Sequence, residues 1–180
     1  MVSAIAGAQI LVITVGYIKG QLHLTDKHYG YVMAAFGIGI GAAVAAFASG
    51  NFDKSKNRIA SLMIGGGLVC VSIAFGNYVI FIPFLILWLI AGFGQTLAEI
   101  PSQILIAEKI PKEEYGKVYG VHFAWSHLWW AFAYPIAGFT GTHFKSREFL
   151  IGAGLSLVLF ILITIGFFPK RGKGILMNTM

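Results

Sequence analysis

Polar residues in this chain are confined to short gaps between long apolar runs, and no other feature limits the fold as strongly. A helix needs roughly 20 apolar residues to cross the hydrocarbon core of a bilayer. Six runs of that order stand out, at about 1–19, 29–49, 59–76, 78–107, 116–140 and 148–168. Each is continuous rather than alternating, which suits helices and not barrel strands. The third run is short. The fourth is longer than a perpendicular crossing needs, so tilt or a bend is expected there. The expected fold is therefore an all-α membrane protein with six transmembrane helices over 1–168 and a cytoplasmic tail over 169–180.

Composition leads to the same class. Of 180 residues, 57% are hydrophobic and 11% charged, against about 25% charged in an average soluble domain. A soluble fold of this size cannot hide so much apolar surface. The single cysteine, Cys70, sits in an apolar run. It excludes an internal disulfide framework and reads as a small packed side chain. The first positive charge is Lys19, so no basic leader of the secretory kind is expected.

The net charge of +6 reads as membrane orientation, and no nucleic-acid partner is expected. With the amino end inside, the inner gaps hold nine basic residues: Lys54, Lys56, Arg58, Lys109, Lys112, Lys117, Lys170, Arg171 and Lys173. The outer gaps hold four: Lys19, Lys27, Lys145 and Arg147. Basic residues resist translocation, so the richer side is cytoplasmic. The expectation is an integral protein of the plasma (inner) membrane with both termini cytoplasmic. Small residues recur where helices would touch: Gly37, Gly41 and Ala45 at spacings of four, with Gly39 nearby, then Gly65–Gly67, Gly92 and Gly94. In lipid such residues permit close backbone approach.

Ionisable groups within apolar runs are costly, on the order of 3 kcal/mol for an acid at mid-membrane, which makes them candidates for function. Gln95, Glu99 and Gln103 recur every four residues and share one helical face. Pro101 removes a backbone donor beside them and leaves a carbonyl without its helical partner. His122, Ser126 and His127 lie on the next run. His122 and Ser126 share a face, whereas the two histidines stand about 140° apart around a helix. They do not form a ready-made clamp for one ion, so at most one is expected to join Glu99. Imidazole titrates near neutrality and, when neutral, ligates transition metals. Either role leaves open the alternative that both histidines simply bond to neighbouring helices. Trp125, Trp129 and Trp130 read as packing or interfacial aromatics. The outer stretch QLHLTDKHYG, with His23, Asp26, Lys27 and His28, reads as a solvated loop, as does His143.

Two loops carry a family likeness. SGNFDKSKNRIA, after the second run, has a glycine, then Asp53 followed by Lys54, Lys56 and Arg58. AEKIPKEEYGKVYG follows the fourth run, and HYGYVMAAFGIGIGAAVAAF opens the second. Together with six apolar runs, these stretches resemble the second, C-terminal half of a major facilitator superfamily transporter. HFAWSHLWW with AYPIAG is also similar to members described as nickel or cobalt resistance exporters. The resemblance implies half of a twelve-helix fold, built from two inverted three-helix repeats, with substrate bound near the midplane. It implies a gating loop at Asp53, Lys54, Lys56 and Arg58, which could equally be a basic anchor to lipid headgroups. It implies a proton-coupled exporter of a small solute or cation, with Glu99, Gln95, Gln103, His122, Ser126 and His127 as coupling-ion or substrate residues, and Glu99 with one of His122 or His127 as the metal ligands if a metal is carried. No cofactor is expected. The expected partners are the lipid bilayer and a second six-helix half or a second copy. Alternatives are a drug or metabolite efflux half and a non-transporting component or inactive fragment. An intramembrane metalloenzyme is disfavoured, because no dense ligand set such as HExxH is present.

Overall fold

A computed structural model describes residues 2–50 and 55–167, and its regular structure is helical, with no strand among the described residues. Helix α1 spans Val2–Gln21, α2 Asp26–Ala48 and α3 Ser55–Phe75. Helix α4 spans Phe81–Lys109, α5 Tyr115–His143 and α6 Glu148–Phe167. Five stretches are long and apolar enough to cross a membrane: α1, α2, Arg58–Tyr78 in α3 and the turn after it, α4, and Glu148–Gly166 in α6. Helix α5 is outside this set, although a sixth crossing was expected at about 116–140. With 29 residues it does not lack length. It lacks apolarity, because His122, Ser126, His127, Thr140 and several glycines dilute its hydrophobic side chains.

Helix α1 is the innermost element, with 61% of its apolar window buried against 22% for α2 and α6. Ile5, Ile10, Ile13, Tyr17 and Ile18 share one buried core with Phe84 and Trp88 of α4 and Phe149 of α6, and the Tyr17 ring contacts those of Phe84 and Phe149. The helix widens twice into π-turns, at Gln9–Ile13 and Tyr17–Gln21. Each π-turn misaligns backbone groups that lipid could not satisfy, so a buried position is required. Between them Thr14 donates to the Ile10 carbonyl at 2.5 Å and accepts from Trp88 Nε1 at 3.1 Å. A buried indole N–H thereby finds its acceptor.

Helix α4 is held between α2 and α3 by backbone-to-backbone approach. A Cβ added at Gly39 would run into the Leu89 carbonyl oxygen, and one at Gly92 into that of Phe36. One at Gly65 would strike the Gly94 carbonyl oxygen, while one at Gly94 would lie 2.8 Å from Leu68 Cβ. The α2 contact face is Val32, Gly39 and Ala43. The four-residue series Gly37, Gly41 and Ala45 is exposed on another face, and a Cβ at Gly37 or Gly41 meets open space. Close approach therefore uses Gly39, and the regular spacing marks the side of α2 turned away from the bundle.

The α4 helix continues through Pro101. Proline cannot donate to the carbonyl four residues earlier, that of Leu97. Ser61 Oγ, from α3, lies 3.3 Å from that oxygen and 2.9 Å from its own Arg58 carbonyl, so one buried hydroxyl serves both. A neighbouring helix thus supplies the donor that α4 lost.

At the end bearing the α1–α2, α3–α4 and α5–α6 turns, side chains fix the connections. Lys19 pairs with Asp26 at 2.7 Å. His28 Nδ1 accepts from the Thr25 backbone N–H at 3.3 Å, which caps α2. Asn77 Oδ1 accepts from the Phe149 and Leu150 backbone N–H groups at 3.0 and 3.3 Å, capping α6 from the α3–α4 turn.

Two outcomes follow for thermal unfolding in detergent. Ser61→Ala lowers stability by about 1 kcal/mol, and by less in a Pro101→Ala background, where the helix regains its own donor. Gly92→Ala costs about 1–3 kcal/mol through collision with Phe36, whereas Gly37→Ala stays within about 0.5 kcal/mol.

Candidate functional site

Two polar clusters mark the half of the bundle away from those turns. The first joins α1 to α4. Ser3 Oγ donates to Glu99 Oε1 at 2.5 Å, and Gln95 Nε2 donates to the same oxygen at 3.2 Å. Glu99 is exposed beside a largely buried stretch of α4. Its placement follows from helical spacing, since Gln95 is one turn away on the same face. Gln95 Oε1 is buried and has no hydrogen-bond partner among the described residues.

The second cluster is a cleft of about 520 Å³ lined by Gln103, Tyr119, Gly120, His122, Phe123, Ser126 and His127. Four of the residues singled out in the sequence meet here, and both histidines face one space although five positions separate them. Glu99 is not part of this lining. Tyr119 donates to the Gln103 carbonyl at 3.1 Å and Tyr115 to that of Ala107 at 2.6 Å. These bonds tie the first turns of α5 to the last turns of α4.

His127 has a defined chemical state when neutral. Its Nδ1 lies 2.9 Å from the Phe123 carbonyl oxygen. A carbonyl only accepts, so Nδ1 carries the proton and Nε2 keeps its lone pair. The ring also lies 3.8 Å, centroid to centroid, from that of Phe123, which fixes its orientation. His127 can therefore take a proton or a metal ion on Nε2 without losing its orienting bond. Among the described residues, no three His, Cys, Asp or Glu side chains come together as a metal site.

The charged loop is described in part. Asp53 and Lys54 lie outside the described residues, and of Lys56 only its place in α3 is described. Arg58 is buried and forms an ion pair with Glu108 at the far end of α4. This pair locks the start of α3 to the end of α4 in the same region as the second quoted loop.

With topology, paired loops and intramembrane polar groups in place, comparison with known families is decisive. The family model of the Major Facilitator Superfamily matches residues 1–175. The chain belongs to this superfamily. Its members are membrane transporters rather than enzymes, which fixes the general class of this major facilitator chain. Searches of curated proteins and of solved structures return no match.

Other polar groups of this major facilitator chain escaped the sequence reading. Gln9 is 0% exposed at the first π-turn, accepts from Thr140 Oγ1 at 3.2 Å and leaves its Nε2 without a partner among the described residues. Its amide fills the space above Gly152, where a Cβ would lie 2.5 Å from Gln9 Cδ. A lone glutamine in an apolar run was a usable signal, by the same cost argument that selected Glu99. Glu148, 1% exposed, accepts from Gln21 Nε2. Its position at the edge of a run gave no sign of burial. Nitrogen NMR of histidine-labelled protein is expected to show neutral His127 as the Nδ1–H tautomer; a dominant Nε2–H form would remove the orienting bond to Phe123.

Proposed function

We propose that this chain is the C-terminal six-helix half of a secondary transporter that exports a small solute in exchange for protons. Glu99 carries this reading. It is a carboxylate well inside an apolar helix, exposed rather than packed away, and hydrogen-bonded among the described residues by the neutral groups of Ser3 and Gln95. A group held in this way gains or loses a proton or cation without breaking a salt bridge. In a twelve-helix assembly, an exposed polar face of this kind meets the second half across the transport path.

In this reading Glu99 and Gln95 handle the coupling ion, and Gln103, His122, Ser126 and His127 contact the solute or relay the proton. Arg58 with Glu108, and the charges at Asp53, Lys54 and Lys56, act as the cytoplasmic gate. The pair breaks when one bundle rocks against the other. A divalent cation such as nickel or cobalt suits the free Nε2 of His127. Export of a drug or metabolite is the second reading. It is favoured by the aromatic walls Tyr119 and Phe123 and by the lack of a three-ligand cluster among the described residues. The partner is a second six-helix half or a second copy, seated on the exposed faces of α2 and α5, where Gly37, Gly41, Val121, Trp125 and Leu128 are uncovered. Both termini are placed in the cytoplasm of a plasma-membrane protein, in line with the distribution of basic residues.

Glu99→Gln is expected to abolish proton-gradient-driven transport in vesicles while membrane insertion is unchanged. Cells bearing the intact gene are expected to resist nickel and cobalt better than cells bearing that variant. Full gradient-driven transport by the variant rejects the role of Glu99, and equal metal sensitivity moves the substrate to the organic class.

A further inference from the structure

In the cleft of about 520 Å³ between α4 and α5, the Gln103 amide, the His122 ring and the Ser126 hydroxyl have no hydrogen-bond partner among the described residues. This is particular to the place. On the same helix, Thr140 and Thr142 turn their hydroxyls back onto the Ala137 and Gly138 carbonyls at 3.0 Å, the usual resort of a helical hydroxyl. Ser72 and Ser156 are also unpartnered, but their oxygens are sealed in the core, whereas the three cleft groups line an open volume. Polar groups left unserved between helices are costly, so these three await a partner that enters the cleft.

Two further groups are fixed as acceptors. Tyr119 commits its proton to the Gln103 carbonyl at 3.1 Å, so its oxygen offers the cleft only lone pairs. His127 keeps its proton on Nδ1, toward the Phe123 carbonyl, and offers Nε2. An occupant must therefore bring donors. It must also be neutral, because the lining contains no Asp, Glu, Lys or Arg. A cation would shed water without gaining a carboxylate. An anion would find no positive side chain, and Glu99 stands one turn from Gln103 on α4. Phe123, 63% exposed, adds an aromatic face. Gly120 leaves room beside it, since a Cβ there meets nothing within 4 Å.

We propose that this cleft binds a neutral, hydroxyl-rich ring of the monosaccharide or inositol type. The proposal rests on the reading of the cleft as the solute-contacting wall of a transporter half, and it selects the organic class of solute. A hydroxyl group both donates and accepts, which matches the fixed acceptors on Tyr119 and His127 and the two-way groups on Gln103, His122 and Ser126. The C–H face of the ring lies on Phe123, and the volume is of a size that holds a small molecule. Ethers and ketones, which only accept, leave Tyr119 and His127 unserved.

The test is nitrogen NMR of the histidine-labelled full chain, in a detergent without a sugar headgroup and at about pH 8, where imidazole is neutral. The probes are D-glucose and myo-inositol, with tetrahydropyran as a ring without hydroxyls, tetramethylammonium as a cation and acetate as an anion. Each is raised to about 10 mM, above the ordinary range of KM values. The two polyols are expected to move the His127 Nε2 resonance saturably toward its hydrogen-bonded position, and the other three to leave it in place. Ser126→Ala is expected to weaken polyol binding about two- to tenfold. Gly120→Val, which fills the cleft without removing a hydrogen-bonding group, is expected to abolish it. No saturable shift with either polyol in the intact protein overturns the proposal, as does an equal shift with any of the other three probes or a polyol response that survives either variant unchanged. Transport is read apart from binding. Gradient-driven transport that depends on Glu99, without a polyol shift, rejects the solute class and leaves the transporter standing. A polyol shift in a chain without gradient-driven transport upholds the site and rejects the transporter.

Discussion

Hydrocarbon offers no hydrogen bonds, so every backbone group within a spanning helix must be served from inside the protein. That demand organises this bundle. Pro101 deprives Leu97 of its helical donor, and Ser61 from α3 lies against the deprived oxygen. The π-turns of α1 create similar needs, and they fall in the helix with the most buried window. Glycines at 39, 65, 92 and 94 then bring α2, α3 and α4 so close that a methyl group would not fit. Irregular backbone is thus found where neighbours stand near enough to repair it.

The fold was legible because its strongest signal is local. Apolar runs and polar gaps mark the described helices to within a few residues, and the likeness to the superfamily as a whole agrees with the family match. Side-chain partnerships were legible only within a helix. Gln95 and Glu99 follow from a four-residue spacing, and so does the bond from His127 to the Phe123 carbonyl. The pairing of Glu148 with Gln21 spans 127 positions, and that of Gln9 with Thr140 spans 131. No local pattern encodes such contacts. The glycine series on α2 shows a further limit: spacing identified a face, but Gly39 on the opposite side makes the contact.

The candidate site was legible in residue type but not in geometry, for the same reason. Residue type and depth selected Gln103, His122, Ser126 and His127, and they line a common cleft. Angular reasoning on an ideal helix separated the two histidines, yet a cleft several ångströms wide admits side chains from a broad arc. Glu99 instead turns toward α1, because Ser3 supplies its nearest donor. The polar groups are therefore distributed over two interfaces, α1 with α4 and α4 with α5, and α4 contributes to both.

Helix α5 stands apart in its solvent preference. Among the described long helices it alone is too polar to rank as a spanning stretch, whereas α6, which follows it, is strongly apolar. Partitioning from the translocation channel favours segments that dissolve in lipid unaided, and α5 does so poorly. A segment of this polarity would enter a bilayer only with companions, and the fold places two beside it: α6, which follows it in the chain, and α1, where Gln9 receives Thr140.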